Sequence, residues 1–79
     1  MAKANLLQEL SMKEFAETAE TIGRMKAELI IELVDGGMLL ERAERLVRER
    51  AQELAGYLPI ERVPQFQKIA EEIRQEANS

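Results

Sequence analysis

The side chains of this sequence that could do chemistry are almost all carboxylates and basic groups. Fifteen aspartates and glutamates stand beside eleven lysines and arginines, and the chain has no cysteine and no histidine. The usual general base, the thiol nucleophile and the ligands of soft metals are therefore missing. We expect a protein that is not an enzyme, with no catalytic residue, no bound cofactor and no metal site.

Two groups of glutamates could still hold a hard cation or act as an acid and base pair. One group is Glu71, Glu72 and Glu76, and the other is Glu28 with Glu32. Metal sites in helical bundles combine glutamates with histidines, which this chain lacks. The glutamates also fall mainly on polar helix faces. We therefore interpret both groups as solvated surface.

A row of arginines raises the question of phosphate binding. Three arginines recur at three-residue intervals, and glutamates alternate with them: Arg42, Arg45 and Arg48 with Glu41, Glu44 and Glu49. Alternating charges of this kind are typical of a solvated face with ion pairs, and no aromatic residue lies among the arginines to stack on a base. The net charge of −4 also disfavours nonspecific attraction to a phosphate backbone. We favour the solvated face.

The elements that must position these side chains are all helices, because helix-forming residues dominate and aromatic residues are few. Ser11 and Glu14 form a capping pair that predicts a helix over residues 12–35, preceded by an N-terminal arm or short helix over residues 1–10. Apolar residues at three- and four-residue steps predict that this helix is amphipathic.

Glycine and proline divide the rest of the chain. Gly36 and Gly37 predict the end of the first helix, a second helix follows over residues 38–56, and Val63-Pro64 predicts a third over residues 64–77. We expect a single all-α domain over residues 1–79. It should be a small bundle of three main helices, in which a long helical hairpin packs with a C-terminal helix.

The segment Glu32–Ala43 resembles the start of the helix-turn-helix of resolvases and transposases, where a helix ends at a glycine and a second helix with an internal alanine follows. That motif needs a second tight turn after the position of Leu46, before its recognition helix. Here residues 47–55 continue as one helix without a break. We therefore interpret the glycine pair as a corner between two antiparallel helices.

Small residues one turn apart on the first helix predict a seam where another helix can approach closely. The predicted packing or dimer seam contains Phe15, Ala19, Ile22, Gly23, Ala27 and Ile30. The partner helix could belong to this chain or to a second copy, and the sequence leaves both open. A short chain without disulfides often gains stability by associating, so we expect a homo-oligomer, most simply a dimer through the first helix.

These features favour a noncatalytic protein–protein interaction module. The chain should dock a helical surface on a partner protein, in the manner of a small regulator, inhibitor or adaptor encoded by phages, plasmids or bacteria. Its acidity suits a partner with a basic surface. The candidate partner contacts are exposed polar residues of the second and third helices: Arg42, Arg45, Glu49, Gln67, Lys68, Glu71 and Arg74.

The alternative is a dimeric nucleic-acid-binding transcriptional regulator that uses the arginine face of the second helix; we consider nucleic acid the less favoured partner. The sequence shows no apolar run long enough for a membrane span and no secretion signal. We expect no membrane partner and a cytoplasmic location.

Overall fold

A computed structural model describes the backbone of residues 2–78 and the side chains of residues 12–78. The described chain contains three α-helices and one 3₁₀ helix, with no strand among these residues. Helix α1 covers Ala2–Asp35, α2 covers Leu40–Ala51, the 3₁₀ helix covers Gln52–Gly56 and α3 covers Pro59–Asn78. The predicted all-α bundle of three main helices is confirmed.

Helix α1 begins well before the predicted boundary. The helix is continuous from Ala2, so Ser11 lies inside it rather than at its start. Residues 2–10 are mainly alanine, leucine, glutamine and glutamate with no glycine or proline, so nothing interrupts helix propagation there. The predicted side-chain cap by Ser11 falls outside the described side chains.

The corner between α1 and α2 is confirmed, and it has the hydrogen bonds of a Schellman motif. The amide of Met38 donates to the carbonyl of Leu33 at 3.0 Å, and the amide of Gly37 donates to that of Val34 at 3.0 Å. Only Gly37 has a positive φ, of 109°. Met38 packs on the core beside the buried Leu33, so the corner directs α2 back along α1.

The later helix boundaries differ from the predicted ones. Leu39 is extended, so α2 begins at Leu40, and it passes into the 3₁₀ helix after Ala51 instead of continuing to residue 56. Helix α3 begins at Pro59 and contains Pro64, the predicted start, inside it. Proline is well tolerated at the first position of a helix, so Pro59 ends one element and starts the next.

The core lies between α2, α3 and the part of α1 that follows residue 21. Every buried side chain among the described residues is apolar. They are Ile22, Leu29 and Leu33 of α1; Ala43, Val47 and Ala51 of α2; Leu54 of the 3₁₀ helix; and Phe66, Ile69, Ala70 and Ile73 of α3. All three helices contact one another, with α3 running beside α1.

The two corner glycines provide a matched pair of substitutions. We expect Gly37→Ala to lower the free energy of unfolding by about 1–2 kcal/mol, because an alanine side chain is strained at positive φ. Gly36→Ala should leave stability equal or slightly higher, since a Cβ there meets only carbonyl oxygens at 3.4 and 3.5 Å. Urea unfolding measures both, and equal losses in the two variants would contradict the assigned corner.

Candidate interaction surfaces

The residues of the predicted seam on α1 divide between the core and the exposed surface. Ile22 is buried and Ile30 is half-buried against the core, but Phe15, Ala19, Gly23 and Ala27 are exposed. A Cβ built at Gly23 would have nothing within 4 Å. No helix of this chain approaches Gly23 closely, whereas Ile22 belongs to the core. The seam as a whole, within the chain or between two copies, stays a prediction.

A different apolar surface lies where the 3₁₀ helix passes into α3. We call it the apolar end and define it as Phe15, Tyr57, Leu58 and Ile60. These side chains are 49%, 39%, 65% and 71% exposed. Arg62 links its two segments, because its guanidinium carbon lies 5.3 Å from the centroid of the Phe15 ring and its Nε donates to the carbonyl of Tyr57 at 2.9 Å.

Local capping explains why Leu58 and Ile60 face outward at the apolar end. The Leu58 amide donates to Oε2 of Glu61 at 3.4 Å, and the Glu61 amide donates to the Leu58 carbonyl at 2.9 Å. A glutamate that reaches back to the residue before a helix is half of a capping box. This cap fixes the first turn of α3 and leaves both apolar side chains without a covering helix among the described residues.

The predicted contacts on α2 lie on an exposed, mixed-charge face. The predicted contacts Arg42, Arg45 and Glu49 are exposed, and so is Arg48 of the arginine row. A shallow cleft of about 260 Å³, lined by Met38, Arg42, Arg45, Leu46, Glu49, Glu76 and Ala77, runs between α2 and the end of α3. Among the described side chains, none of the three arginines forms an ion pair. They are therefore available to a partner.

The predicted contacts on α3 divide into two kinds. Gln67, Lys68 and Glu71 are exposed, whereas Arg74 is held against α1. The Nε of Arg74 donates to Oε2 of Glu32 at 2.5 Å, and its Nη1 lies 3.7 Å from Oε2 of Glu71. The hydrogen bond to Glu32 raises the pKa of Arg74 above its usual value. Arg74 therefore joins α3 to α1, and its role as a partner contact stays a prediction.

Arg50 likewise joins α2 to the 3₁₀ helix and to α3. The sequence analysis did not identify this residue. Its Nε lies 2.6 Å from Glu53 and its Nη2 lies 2.8 Å from Glu72. Hydrogen bonds to these two carboxylates raise the pKa of Arg50. Arg50 differs from the other α2 arginines in being only half-exposed, and that placement depends on α3.

The two glutamate groups considered for a metal do not assemble. Glu32 and Glu71 both face Arg74, and Glu72 faces Arg50. Within the described part of the chain, no three acidic side chains come together in a way that could hold a metal ion. None of the helices described here is both long and apolar enough to cross a membrane.

Sequence reasoning also missed Leu58 and Ile60. The signal was present, because Tyr57-Leu58-Pro59-Ile60 is an apolar run in a segment predicted as a connector. Connectors on a surface are usually polar, so apolar residues there indicate either a core contact or a binding surface. Leu39 and Leu40, at the start of α2, are likewise exposed.

Comparison with known proteins adds no assignment: no protein-family model, curated protein or solved structure matches the chain.

The role of Arg74 as a link between helices predicts a small, salt-dependent stability loss. Arg74→Gln should lower the free energy of unfolding by up to about 1 kcal/mol, the range of partly exposed ion pairs. Adding Glu32→Gln to that variant should cost little more, because the pair is already broken. Arg45→Gln is the control and should change stability by less than about 0.5 kcal/mol. Urea unfolding at low and high salt measures all three; a larger loss from Arg45→Gln would contradict this assignment.

Proposed function

We propose that this protein is a noncatalytic interaction module that binds a partner protein through the apolar end. The observation that carries the proposal is the exposure of Leu58 and Ile60, at 65% and 71%, on a capped helix start. Large apolar side chains grouped on a surface are typical of protein-binding sites. Burying them on a partner would supply most of the affinity, since apolar burial contributes roughly 25 cal/mol per Å².

Charge indicates the chemistry of the partner. The chain carries a net charge of −4, and the exposed Glu61 lies beside Leu58 in the cap of α3. An acidic chain associates faster with a basic surface than with an acidic one. The proposed partner therefore presents an apolar patch flanked by lysine or arginine. A small regulator, inhibitor or adaptor would act in this way, by covering that patch.

A second candidate function is nucleic-acid binding by a dimer, with the arginine face of α2 as the contact. One observation favours it: Arg42, Arg45 and Arg48 are exposed and form no ion pair among the described residues. Two copies would double the number of such arginines. The alternating glutamates and the overall acidity oppose it, so we rank it below protein binding.

The first proposal is tested by measuring how much partner protein is captured by the parent chain, by a variant changed at the apolar end and by a control variant changed elsewhere. Tagged protein in lysate of the source cell should retain one stoichiometric protein, and the variant carrying Leu58→Ser and Ile60→Ser should lose it. Both side chains are exposed, so the fold should be unchanged by circular dichroism. Leu39→Ser is the control because Leu39 is 77% exposed at the opposite end of the bundle.

Three results would contradict this proposal. The captured protein could persist in the double variant, disappear equally in Leu39→Ser, or disappear when the lysate is treated with nuclease. The first two would exclude the apolar end as the contact. The last would indicate that nucleic acid bridges the two proteins and would favour the arginine face.

The second candidate is tested by the salt dependence of binding to duplex DNA. Phosphate contacts give an affinity that falls steeply with salt, with a logarithmic slope of roughly 0.9 per contact. Because the α2 face has mixed charge, we expect that the protein does not bind DNA through this face. Arg45→Glu should then have no effect on any DNA binding that is measured. Fluorescence anisotropy at several salt concentrations measures this. Steeply salt-dependent binding that Arg45→Glu abolishes would instead establish the arginine face as the functional surface.

A further inference from the structure

A cleft of about 250 Å³ lies between α1 and the segment where α2 passes into the 3₁₀ helix. Its lining includes the buried core residues Ile22, Ala51 and Leu54 and the exposed Ala19 and Ala55. None of the described residues that line this cleft is acidic, although the chain as a whole has a net charge of −4. The cleft is therefore a small apolar surface without the carboxylates that cover much of this protein.

Half-buried basic side chains indicate the chemistry of what fills the cleft. Among the described side chains, four basic ones are half-buried: Lys26, Arg50, Arg62 and Arg74. Arg50 and Arg74 are paired with glutamates of this chain. Lys26 and Arg62 have no carboxylate partner among the described residues, and both line the cleft. A cation that is partly removed from water loses solvation, which a carboxylate at the same place would offset.

We propose that the cleft binds an acidic amphipathic helix of a partner protein. The helix packs between α1 and the end of α2 as a fourth helix of the bundle. One of its carboxylates pairs with Lys26 and another pairs with Arg62, so that all four half-buried cations have a counter-charge. This segment is opposite in charge to the surface that we propose for the apolar end.

The walls of the cleft favour a helix over an extended segment. They are formed by α1, α2 and the 3₁₀ helix, whose backbone groups are hydrogen-bonded within the helices and offer no edge to an added strand. An extended segment would place its own amides and carbonyls against alanine and isoleucine side chains without partners, whereas a helix pairs them internally. Alanines in the lining also allow a helix axis to approach to about 8 Å, the short end of the usual range.

The positions of the two cations set the spacing of the carboxylates. On α1 the cleft extends from Thr18 to Lys26, a rise of about 12 Å. Arg62 lies at the Thr18 end, because its guanidinium carbon is 5.3 Å from the centroid of the ring of Phe15, three residues before Thr18. Two glutamates seven residues apart share one helix face and are separated by a rise of about 10.5 Å. The partner helix should therefore carry such a pair, with large apolar residues between them on the same face.

This inference goes beyond the proposed function, because Leu58 and Ile60 of the apolar end do not line the cleft. Arg62 contacts both surfaces, so it stays unchanged in the experiments and Lys26 is the residue tested. Lys26→Glu should leave partner capture through the apolar end unchanged. Failure of either proposal is therefore distinguishable from failure of the other.

Binding of a synthetic helical peptide tests the charge pattern. The probe is a fluorescently labelled, alanine-based peptide of about 20 residues, with two glutamates seven residues apart and leucines three and four residues after the first. Fluorescence anisotropy should show that the parent protein binds it about tenfold more tightly than a peptide with glutamine in place of both glutamates. Lys26→Glu should weaken binding about tenfold. Lys68→Glu, the same charge change on an exposed residue outside the cleft, should weaken it less than about twofold.

Charge exchange distinguishes a direct contact from a general effect of charge. Two further peptides each carry lysine in place of one of the two glutamates. One of them should bind the Lys26→Glu variant to within about twofold of the original peptide and the parent protein, and its identity gives the direction of the bound helix. Failure of both peptides, or equal recovery with both, would overturn the proposal.

Filling the cleft separates peptide binding from folding. Ala55→Leu should weaken binding at least about tenfold while circular dichroism shows the same helix content, because Ala55 is exposed. Ala77→Leu is the control, since it adds the same side chain at an exposed position outside the cleft.

Three further results would overturn the proposal. The parent protein could fail to bind the peptide up to near-millimolar concentration, the glutamine peptide could bind equally well, or Ala55→Leu could leave binding unchanged. The variant with Leu58→Ser and Ile60→Ser should bind the peptide normally. Loss of binding in that variant would show that the peptide occupies the apolar end, which would overturn this inference and leave the proposed function standing.

Discussion

The bundle is held together by the burial of one short apolar face of α1, from Ile22 to Leu33, against α2 and α3. The buried side chains among the described residues are all apolar, and the ion pairs lie at the edge of the core, where exposed pairs contribute little. Stability therefore depends on apolar burial. A core this small covers only part of α1, so apolar side chains beyond it, such as Met12, stay exposed.

The sequence was sufficient to predict the corner and the helices because their signals are local. Gly37 adopts a conformation that other residues avoid, so a glycine pair after an amphipathic stretch marks a helix end. Boundaries were less accurate because several local signals compete. Ser11 resembles a cap, but helix-forming residues on both sides continue the helix through it. Pro64 resembles a start, but Pro59, five residues earlier, satisfies the same requirement.

The candidate surfaces were harder to predict because periodicity shows which residues share a helix face, not which neighbour covers that face. Ile22 and Gly23 are adjacent in sequence, yet one is buried and the other has open space beside it. The outcome depends on which face of α1 the other helices cover, and tertiary packing sets that. Arg45 and Arg74 likewise resemble each other in sequence, but only Arg74 meets a carboxylate from another helix.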